Sequence, residues 1–132
     1  YSMEVSSADK FESAFKEAIK ARSAALAVTQ NPLIASTQKQ IRALAIKNRL
    51  PTIYHRGDFV ESGGLMSYGA DPSEPFKRAA AMVEKILKGT KPADIPAERP
   101  MRFEFIVNLK TAKQIGVTIP PNVLVRAQKV IK

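Results

Sequence analysis

The chain of 132 residues contains no cysteine and a single histidine, His55. The absence of cysteine excludes disulfide bonds and thiolate metal ligands. One histidine argues against a histidine-based metal site and against a catalytic triad that depends on histidine. The glycine pair Gly63-Gly64 lacks the following Lys-Ser/Thr of a phosphate-binding loop. From these absences we expect no metal, no cofactor and no enzymatic activity.

Long apolar runs are also absent, since no stretch approaches the 18 residues of a transmembrane helix. A hydrophobic content of 45% with 25% charged residues is typical of a globular protein, and 132 residues fit one ordinary domain. The sequence opens at Tyr1 without an initiator methionine or a signal peptide. We therefore expect a processed or trimmed chain whose precursor carried a signal peptide.

The net charge of +9 raises the possibility of a basic nucleic-acid-binding domain. The excess is +4 over residues 1–50, zero over residues 51–97 and +5 over residues 98–132. Most basic side chains fall on the polar faces of predicted helices, where solvent exposure explains them. No aromatic-rich RNA-binding strand or recognition helix accompanies the charge. Nucleic-acid binding is therefore kept as an alternative, and we expect no nucleic-acid partner.

Strands and helices alternate through the first half of the sequence. Strands are predicted at residues 2–5, 24–28, 51–54 and 65–68, helices at 7–22 and 35–48, and a loop at 55–64. The uninterrupted apolar run 24–28 is typical of a strand buried on both faces. Short connections between such elements predict an α/β domain in which helices flank a parallel sheet. The residues expected to face the core of this half are Phe11, Phe15, Ala18, Ile19, Ile41, Leu44 and Ala45.

The second half begins with a strong helix signal in the sequence "DPSE", where Asp71 is expected to cap the helix and Pro72 to occupy its first position. This helix is predicted to end at Gly89. A proline-rich linker, a strand at 102–107, a helix from an Asn108 cap to Gly116 and a last helix at 121–131 follow. The apolar stripe predicted to be buried on the first of these helices consists of Phe76, Ala80, Val83 and Leu87.

Three segments with polar residues follow predicted strands, namely Thr29-Gln30-Asn31, Tyr54-His55-Arg56 and Ser67-Tyr68-Gly69. In an open α/β sheet, ligands bind beyond the carboxyl ends of the strands. Glycine in "GGLMSYG" permits close backbone approach, and the strand would deliver Ser67 and Tyr68 to that edge. The pattern predicts a ligand site there.

The segments "GGLMSYG", "ILKGTKPADIP" and "FEFIVNLKTAKQIGVTIPP", with the final helix, closely resemble the C-terminal half of bacterial ABC-transporter substrate-binding proteins. These are often described as tryptophan/tyrosine-type or uncharacterised solute-binding proteins. The resemblance implies the second lobe of a type I periplasmic-binding fold. Residues 1–72 would form the α/β segment of that lobe. Residues 73–132 would supply a crossover helix, the proline-rich linker, a strand and C-terminal helices that return between the lobes.

The same resemblance implies a small-molecule ligand, such as an amino acid or an aromatic compound, and a membrane permease as partner. The location would be periplasmic, or lipid-anchored outside the cytoplasm. A ligand-sensing module of a signalling protein is the alternative use of this architecture. A chain without its first lobe would expose apolar surface, so a homodimer of the fragment is also expected.

The resemblance implies ligand contacts from Asn31, Tyr54, Ser67 and Tyr68. His55 and Arg56 are weaker candidates, since their side chains could contact an anionic ligand. Asn31 stands where many relatives have an acidic residue, and an amide cannot neutralise an ammonium group. The alternative roles are structural. Asn31 would form a turn, Ser67 would cap backbone, the tyrosines would be half-buried at a hinge, and His55 with Arg56 would form a solvated loop pair.

Overall fold

The computed structural model describes residues 2–132, and Tyr1, the expected start of a processed chain, lies outside the described residues. Its centre is a five-stranded sheet in the order β1-β2-β3-β4-β5. All neighbouring strands are parallel except β3 and β4. The predicted α/β architecture is confirmed, with one antiparallel pair in an otherwise parallel sheet. The strands are β1 (Leu26–Val28), β2 (Thr52–Tyr54), β3 (Met66–Ala70), β4 (Phe103–Asn108) and β5 (Lys129–Ile131).

Helices occupy most of the connections between the strands. Short 3-10 turns at Ala8–Lys10 and Pro92–Asp94 complete the regular structure. The helices are α1 (Phe11–Lys20), α2 (Pro32–Ser36), α3 (Gln38–Lys47), α4 (Gly57–Glu61), α5 (Glu74–Leu87), α6 (Leu109–Ile115) and α7 (Pro121–Leu124).

The sheet register determines which residues meet at its edge. Tyr54 is opposite Ser67, and Ser67 is opposite Ile106. Because β4 runs against β3, its amino end lies beside the carboxyl end of β3, with Glu104 opposite Gly69. The edge therefore receives side chains from the ends of β2 and β3 and from the start of β4.

Two apolar clusters form the core. The first joins α1, α3 and α4 to the first two strands, and the second joins β3 and β4 to α6 and the segment after it. The first contains Phe11, Phe15, Val28, Ile41, Leu44, Ala45, Leu50, Tyr54 and Phe59. The second contains Leu65, Val107, Ala112, Ile115 and Ile119.

The structure corrects the predictions for the first helix and for the strands at 2–5 and 24–28. Ile19 is 44% exposed, although Phe11, Phe15 and Ala18 are buried as expected. Residues 2–5 form no strand, and Val5 packs against the first cluster instead. The strand at 24–28 shortens to β1 and is not buried on both faces, since Val28 is buried but Ala27, which points to the opposite face, is exposed.

Two further segments differ from the prediction for identifiable reasons. Residues 57–61 form α4 rather than loop, because Phe59 and Val60 are buried at 3% and 0% exposure, and glycines on both sides obscured this local pattern. The last helix ends at Leu124, and residues 129–131 form β5 because they pair with β4 at long range. The helix predicted at 35–48 is interrupted at Thr37, which separates α2 from α3.

The helix α5 differs most from its prediction, because none of its residues is buried. Phe76, Val83 and Leu87 are 78%, 54% and 82% exposed, and Ala80 is exposed as well. The start of α5 is held by Glu74, whose carboxylate accepts the N–H groups of residues 101 and 102 at 3.2 and 3.0 Å. The rest of its apolar face finds no covering element among residues 2–132.

Candidate functional site

A cavity of about 200 Å³ lies at the carboxyl ends of β2 and β3. Its position agrees with the site that the sequence pattern predicts for an open α/β sheet. His55 and Arg56, the two weaker candidates, both line it. The remaining lining residues are Gly57, Asp58, Glu61, Gly69, Ala70, Pro72, Glu104 and Ile106.

Close backbone packing shapes this cavity. A Cβ atom at Gly69 would lie 1.9 Å from the carbonyl oxygen of His55, so only glycine allows the end of β3 to approach the end of β2. A Cβ atom at Gly57 would lie 2.6 Å from Cδ1 of Ile106. The glycine in "MSYG" is therefore required by strand packing at the cavity rim.

One ion pair lies in the wall of the cavity. Arg56 donates from Nε and Nη2 to the two carboxylate oxygens of Asp58, at 3.2 and 2.8 Å. Two parallel N–H bonds hold the guanidinium in a defined orientation. Both side chains remain about half exposed, at 51% for Arg56 and 40% for Asp58, so each stays accessible to a ligand.

Two glutamates also line the cavity. Glu61 is paired with Lys129 of β5 at 2.5 Å. Glu104 is exposed and, among the residues that the structure describes, forms no ion pair within 4.0 Å. A carboxylate with this freedom can bind a cationic group of a ligand. Glu61 and Glu104 were missed by the sequence analysis; the signal for Glu104 was its alternation with Phe103 and Phe105 in the strand.

Tyr54 lies in the core and is not at the accessible edge. Its ring is 2% exposed and stacks on Phe59 with a centroid distance of 5.0 Å. Burial is the main cause that raises the pKa of Tyr54 to about 12. The side chain therefore supports the segment that carries His55 rather than presenting a surface to a ligand.

Ser67 and His55 carry buried polar atoms that have no hydrogen-bond partner within residues 2–132. These atoms are Oγ of Ser67, which is 1% exposed, and Nδ1 of His55. An unsatisfied buried polar group costs about 1–3 kcal/mol, so such groups are common where a ligand or an ordered water binds. Ser67 itself does not line the cavity at the rim.

Tyr68 and Asn31 lie outside the cavity. Tyr68 is 56% exposed and stacks on Phe103 with ring centroids 5.5 Å apart. The Asn31 side chain accepts the N–H of Leu33 at 2.8 Å and caps α2, with Pro32 at the first helical position. Of the six predicted site residues, the fold thus brings His55 and Arg56 together at the cavity, and the other four do not line it.

A larger cavity of about 460 Å³ lies beside the start of α5. Its polar groups already serve the local fold, since Asp71 accepts the N–H and the hydroxyl of Ser73 at 2.8 and 2.7 Å. These hydrogen bonds hold the pKa of the Asp71 carboxyl below its usual value. The cavity at the strand ends is therefore the better candidate, despite its smaller volume.

Within residues 2–132, no group of three histidine, cysteine, aspartate or glutamate side chains is arranged to hold a metal ion. The helices of the same part of the chain are all too short or too polar to cross a bilayer.

A mostly parallel sheet with a cavity at its strand ends defines the chain as a lobe of a periplasmic-binding-protein fold. The sequence matches the family described as ABC transporter substrate binding protein over residues 1–131. The chain therefore belongs to this family. No curated protein matches the sequence.

Three solved structures illustrate the similarity. An ABC domain from Streptococcus pneumoniae, in complex with L-Trp, is 29% identical and has a TM-score of 0.80 over 96% of this chain and 44% of that one. A conserved domain protein from Vibrio cholerae is 24% identical, with a TM-score of 0.83 over 96% and 42%. A ligand-free, open substrate-binding protein with adhesive properties from Clostridium difficile is 23% identical, with a TM-score of 0.70 over 97% and 42%. The chain spans less than half the length of these structures.

Proposed function

We propose that the chain is the C-terminal lobe of the solute-binding component of a bacterial ABC-type importer and has no enzymatic role. The observation that carries the proposal is the cavity at the carboxyl ends of β2 and β3. This is the position where open α/β sheets bind ligands. Membership of the substrate-binding family supports a role in solute capture.

The proposed ligand is a small organic molecule with both an ammonium and a carboxylate group, such as an amino acid. Glu104 would attract the ammonium group, and Arg56 would donate hydrogen bonds to the carboxylate. Among the carboxylates that line the cavity, Asp58 is paired with Arg56 and Glu61 with Lys129, which leaves Glu104 for a cationic group. The complex of the Streptococcus pneumoniae ABC domain with L-Trp supports an aromatic amino acid as the first ligand to test.

The remaining predicted contacts stay part of the proposal in different roles. The exposed ring of Tyr68 offers a face for an aromatic ligand, and Asn31 lies after β1 at the same edge of the sheet. Ser67 has an unpartnered hydroxyl that a ligand or water could satisfy. Tyr54 would act indirectly, by holding the backbone that carries His55.

The proposal requires a second lobe that closes the cavity from the other side. Residues 1–72 would form the α/β segment of the C-terminal lobe, and residues 73–132 would cross to the other lobe and return. The exposed apolar face of α5 supports this arrangement, because apolar side chains such as Phe76 and Leu87 favour a covering partner. Ligand that bridges two lobes would stabilise their closed arrangement, which a membrane permease would recognise outside the cytoplasm.

Binding by the intact gene product tests this function. We expect heat release on titration with L-tryptophan or another amino acid. Glu104→Gln should weaken the affinity at least about tenfold, because a charge-assisted hydrogen bond is lost. The control Glu12→Gln makes the same charge change on the exposed side of α1. Absence of binding to any amino acid, aromatic acid or nucleoside would contradict the proposal.

We also propose that the chain forms a homodimer when its α5 face has no other cover. The exposed Phe76, Val83 and Leu87 would pack against a second copy. Size-exclusion chromatography with light scattering on residues 1–132 should give a mass near twice 14.5 kDa. Phe76→Lys should restore the monomer, whereas a monomeric unsubstituted chain would disprove the pairing.

A further inference from the structure

The turn that follows α4 is held by side chains from distant parts of the chain. Thr111 of α6 donates from Oγ1 to the carbonyl oxygen of Gly63 at 3.0 Å. Asn108, at the end of β4, donates from Nδ2 to the carbonyl oxygen of Val60 at 3.2 Å. Both contacts join residues 48 positions apart in the sequence.

These two donors are themselves fixed in position. Asn108 and Thr111 are 4% and 5% exposed, and Oδ1 of Asn108 accepts the N–H of Thr111 at 3.1 Å. The backbone N–H of Asn108 also donates to the carbonyl oxygen of Leu65 at 2.8 Å. The start of α6 therefore presents a rigid pair of donors to the carbonyl groups of residues 60–63.

The helix α4 also forms part of the cavity wall. Asp58 and Glu61 lie on α4 and line the cavity, and Gly57 packs against Ile106. Since α4 has only 5 residues, its position depends on what holds its two ends. Arg42 of α3 adds a third side-chain donor, which bonds the carbonyl oxygen of Ser62.

We infer that Asn108 and Thr111 are positioning residues that fix the C-terminal end of α4, so that this helix presents Asp58 and Glu61 to the cavity. They do not contact a ligand and act through α4. The second half of this inference rests on the proposed solute-binding function. The first half, that Asn108 and Thr111 fix the position of α4, is independent of any ligand.

Hydrogen exchange on the intact gene product tests the hold on α4 directly. Thr111→Val keeps the shape of the side chain and removes the donor to Gly63, whereas Thr111→Ser keeps the donor. Asn108→Asp keeps the acceptor for the N–H of Thr111, removes the donor to Val60 and places a carboxylate against that carbonyl oxygen, so its effect should be at least as large as that of Thr111→Val. We expect Thr111→Val and Asn108→Asp to speed exchange in residues 57–65 about tenfold, the effect of losing one buried hydrogen bond.

The comparison region is α1, whose exchange should stay within about twofold because it shares no hydrogen bond with the turn. Thr111→Ser should match the unsubstituted protein throughout. Faster exchange in α1 to the same degree would mean a general loss of stability and would overturn the inference. Unchanged exchange in residues 57–65 in both variants would overturn it as well.

Titration with L-tryptophan tests the second half. If the unsubstituted protein binds, Thr111→Val should weaken affinity about fivefold through faster dissociation, and Thr111→Ser should restore it. Equal affinity in Thr111→Val, with faster exchange in residues 57–65, would overturn the role of α4 position in binding. Lack of binding by the unsubstituted protein to every solute tested would refute the proposed function, and the exchange result would still decide the hold on α4.

Discussion

Helices α1 and α5 both carry an apolar stripe on one side, but only the stripe of α1 is buried. Phe11 and Phe15 of α1 are each 3% exposed, whereas Phe76 and Leu87 of α5 are 78% and 82% exposed. In α1 the stripe packs against α3 and the first two strands. An amphipathic pattern thus indicates that a helix has a face to cover, and only the remaining structure decides what covers it.

Replacing one phenylalanine by alanine in α1 and one in α5 should give the largest difference in the free energy of unfolding. Phe15→Ala should lower the free energy of unfolding by about 4 kcal/mol, because it leaves a cavity in the first cluster. Phe76→Ala should cost less than about 0.5 kcal/mol in residues 1–132, since its ring is 78% exposed. Urea unfolding of the isolated chain measures both values, at a concentration where it is monomeric.

Equal costs in the two helices would mean that α5 packs in solution, and the contrast would fail. In the intact gene product, the proposed second lobe should raise the cost of Phe76→Ala well above its value in the isolated chain. An unchanged small cost in the longer protein would argue against that lobe as the partner of α5.

Two glycines test the same difference between packed and open parts of the structure: Gly69 in β3 is closely packed, and Gly89 after α5 is not. Gly69→Ala should cost about 2–3 kcal/mol, because the new Cβ atom would meet the carbonyl oxygen of His55 at 1.9 Å. Gly89, after α5, has a φ of +100° and nothing within 4 Å of a Cβ atom, so Gly89→Ala should cost only about 1 kcal/mol of backbone strain. Thermal unfolding of the two variants should rank them in this order, and the reverse order would contradict the close packing at the cavity rim.

The pH dependence of the free energy of unfolding should report the burial of Tyr54 in the first apolar cluster. Burial raises its pKa to about 12 in the folded state, from an ordinary value of about 10 in the unfolded chain. Between these values the unfolded state binds fewer protons, so stability present below pH 10 should fall as the pH rises toward about 12. Tyrosinate absorbance should contain a late step that Tyr54→Phe removes. A late step that persists in this variant would assign the raised pKa to another residue.

The ion pair between Lys129 and Glu61 should contribute less to the free energy of unfolding than the other interactions tested. Its side chains are 54% and 53% exposed, so solvent screens their attraction. Lys129→Met should change the free energy of unfolding by no more than about 0.5 kcal/mol and should leave the exchange of α4 nearly unchanged. Faster exchange in residues 57–65 than Thr111→Val produces would make this pair, and not Asn108 with Thr111, the main constraint on the position of α4.

The fold was predictable where local signals agree with long-range packing. Asn108 caps α6 through the N–H of Thr111, and Gly116 ends it in a left-handed conformation with a φ of +79°, both as the sequence indicated. The buried face of α3, with Ile41 and Leu44, was predicted from its spacing as well. In contrast, the sequence predicts helix where β5 forms, because a strand of 3 residues exists only through its pairing with β4.

The candidate site was predictable in location but less so in its residues. The carboxyl ends of β2 and β3 follow from the order of elements, and His55 and Arg56 follow from their place after β2. Glu104 was not identified, because the antiparallel direction of β4, which brings it opposite Gly69, is set by tertiary pairing. Ligand contact by any of these residues stays a prediction.

Backbone geometry and near neighbours make the Asn108 cap of α6 and the glycine at the end of β3 readable from the sequence. The predicted Asp71 cap is wrong, because α5 begins at Glu74 after Ser73. Tertiary packing, in contrast, sets which tyrosine is buried and which apolar stripe is covered: Tyr54 is buried and Tyr68 exposed, and α1 is covered whereas α5 is not. The physical reason is that burial depends on which distant surface meets a side chain. The spacing of apolar residues along the chain shows that a helix has an apolar face, but it does not identify the surface that covers this face.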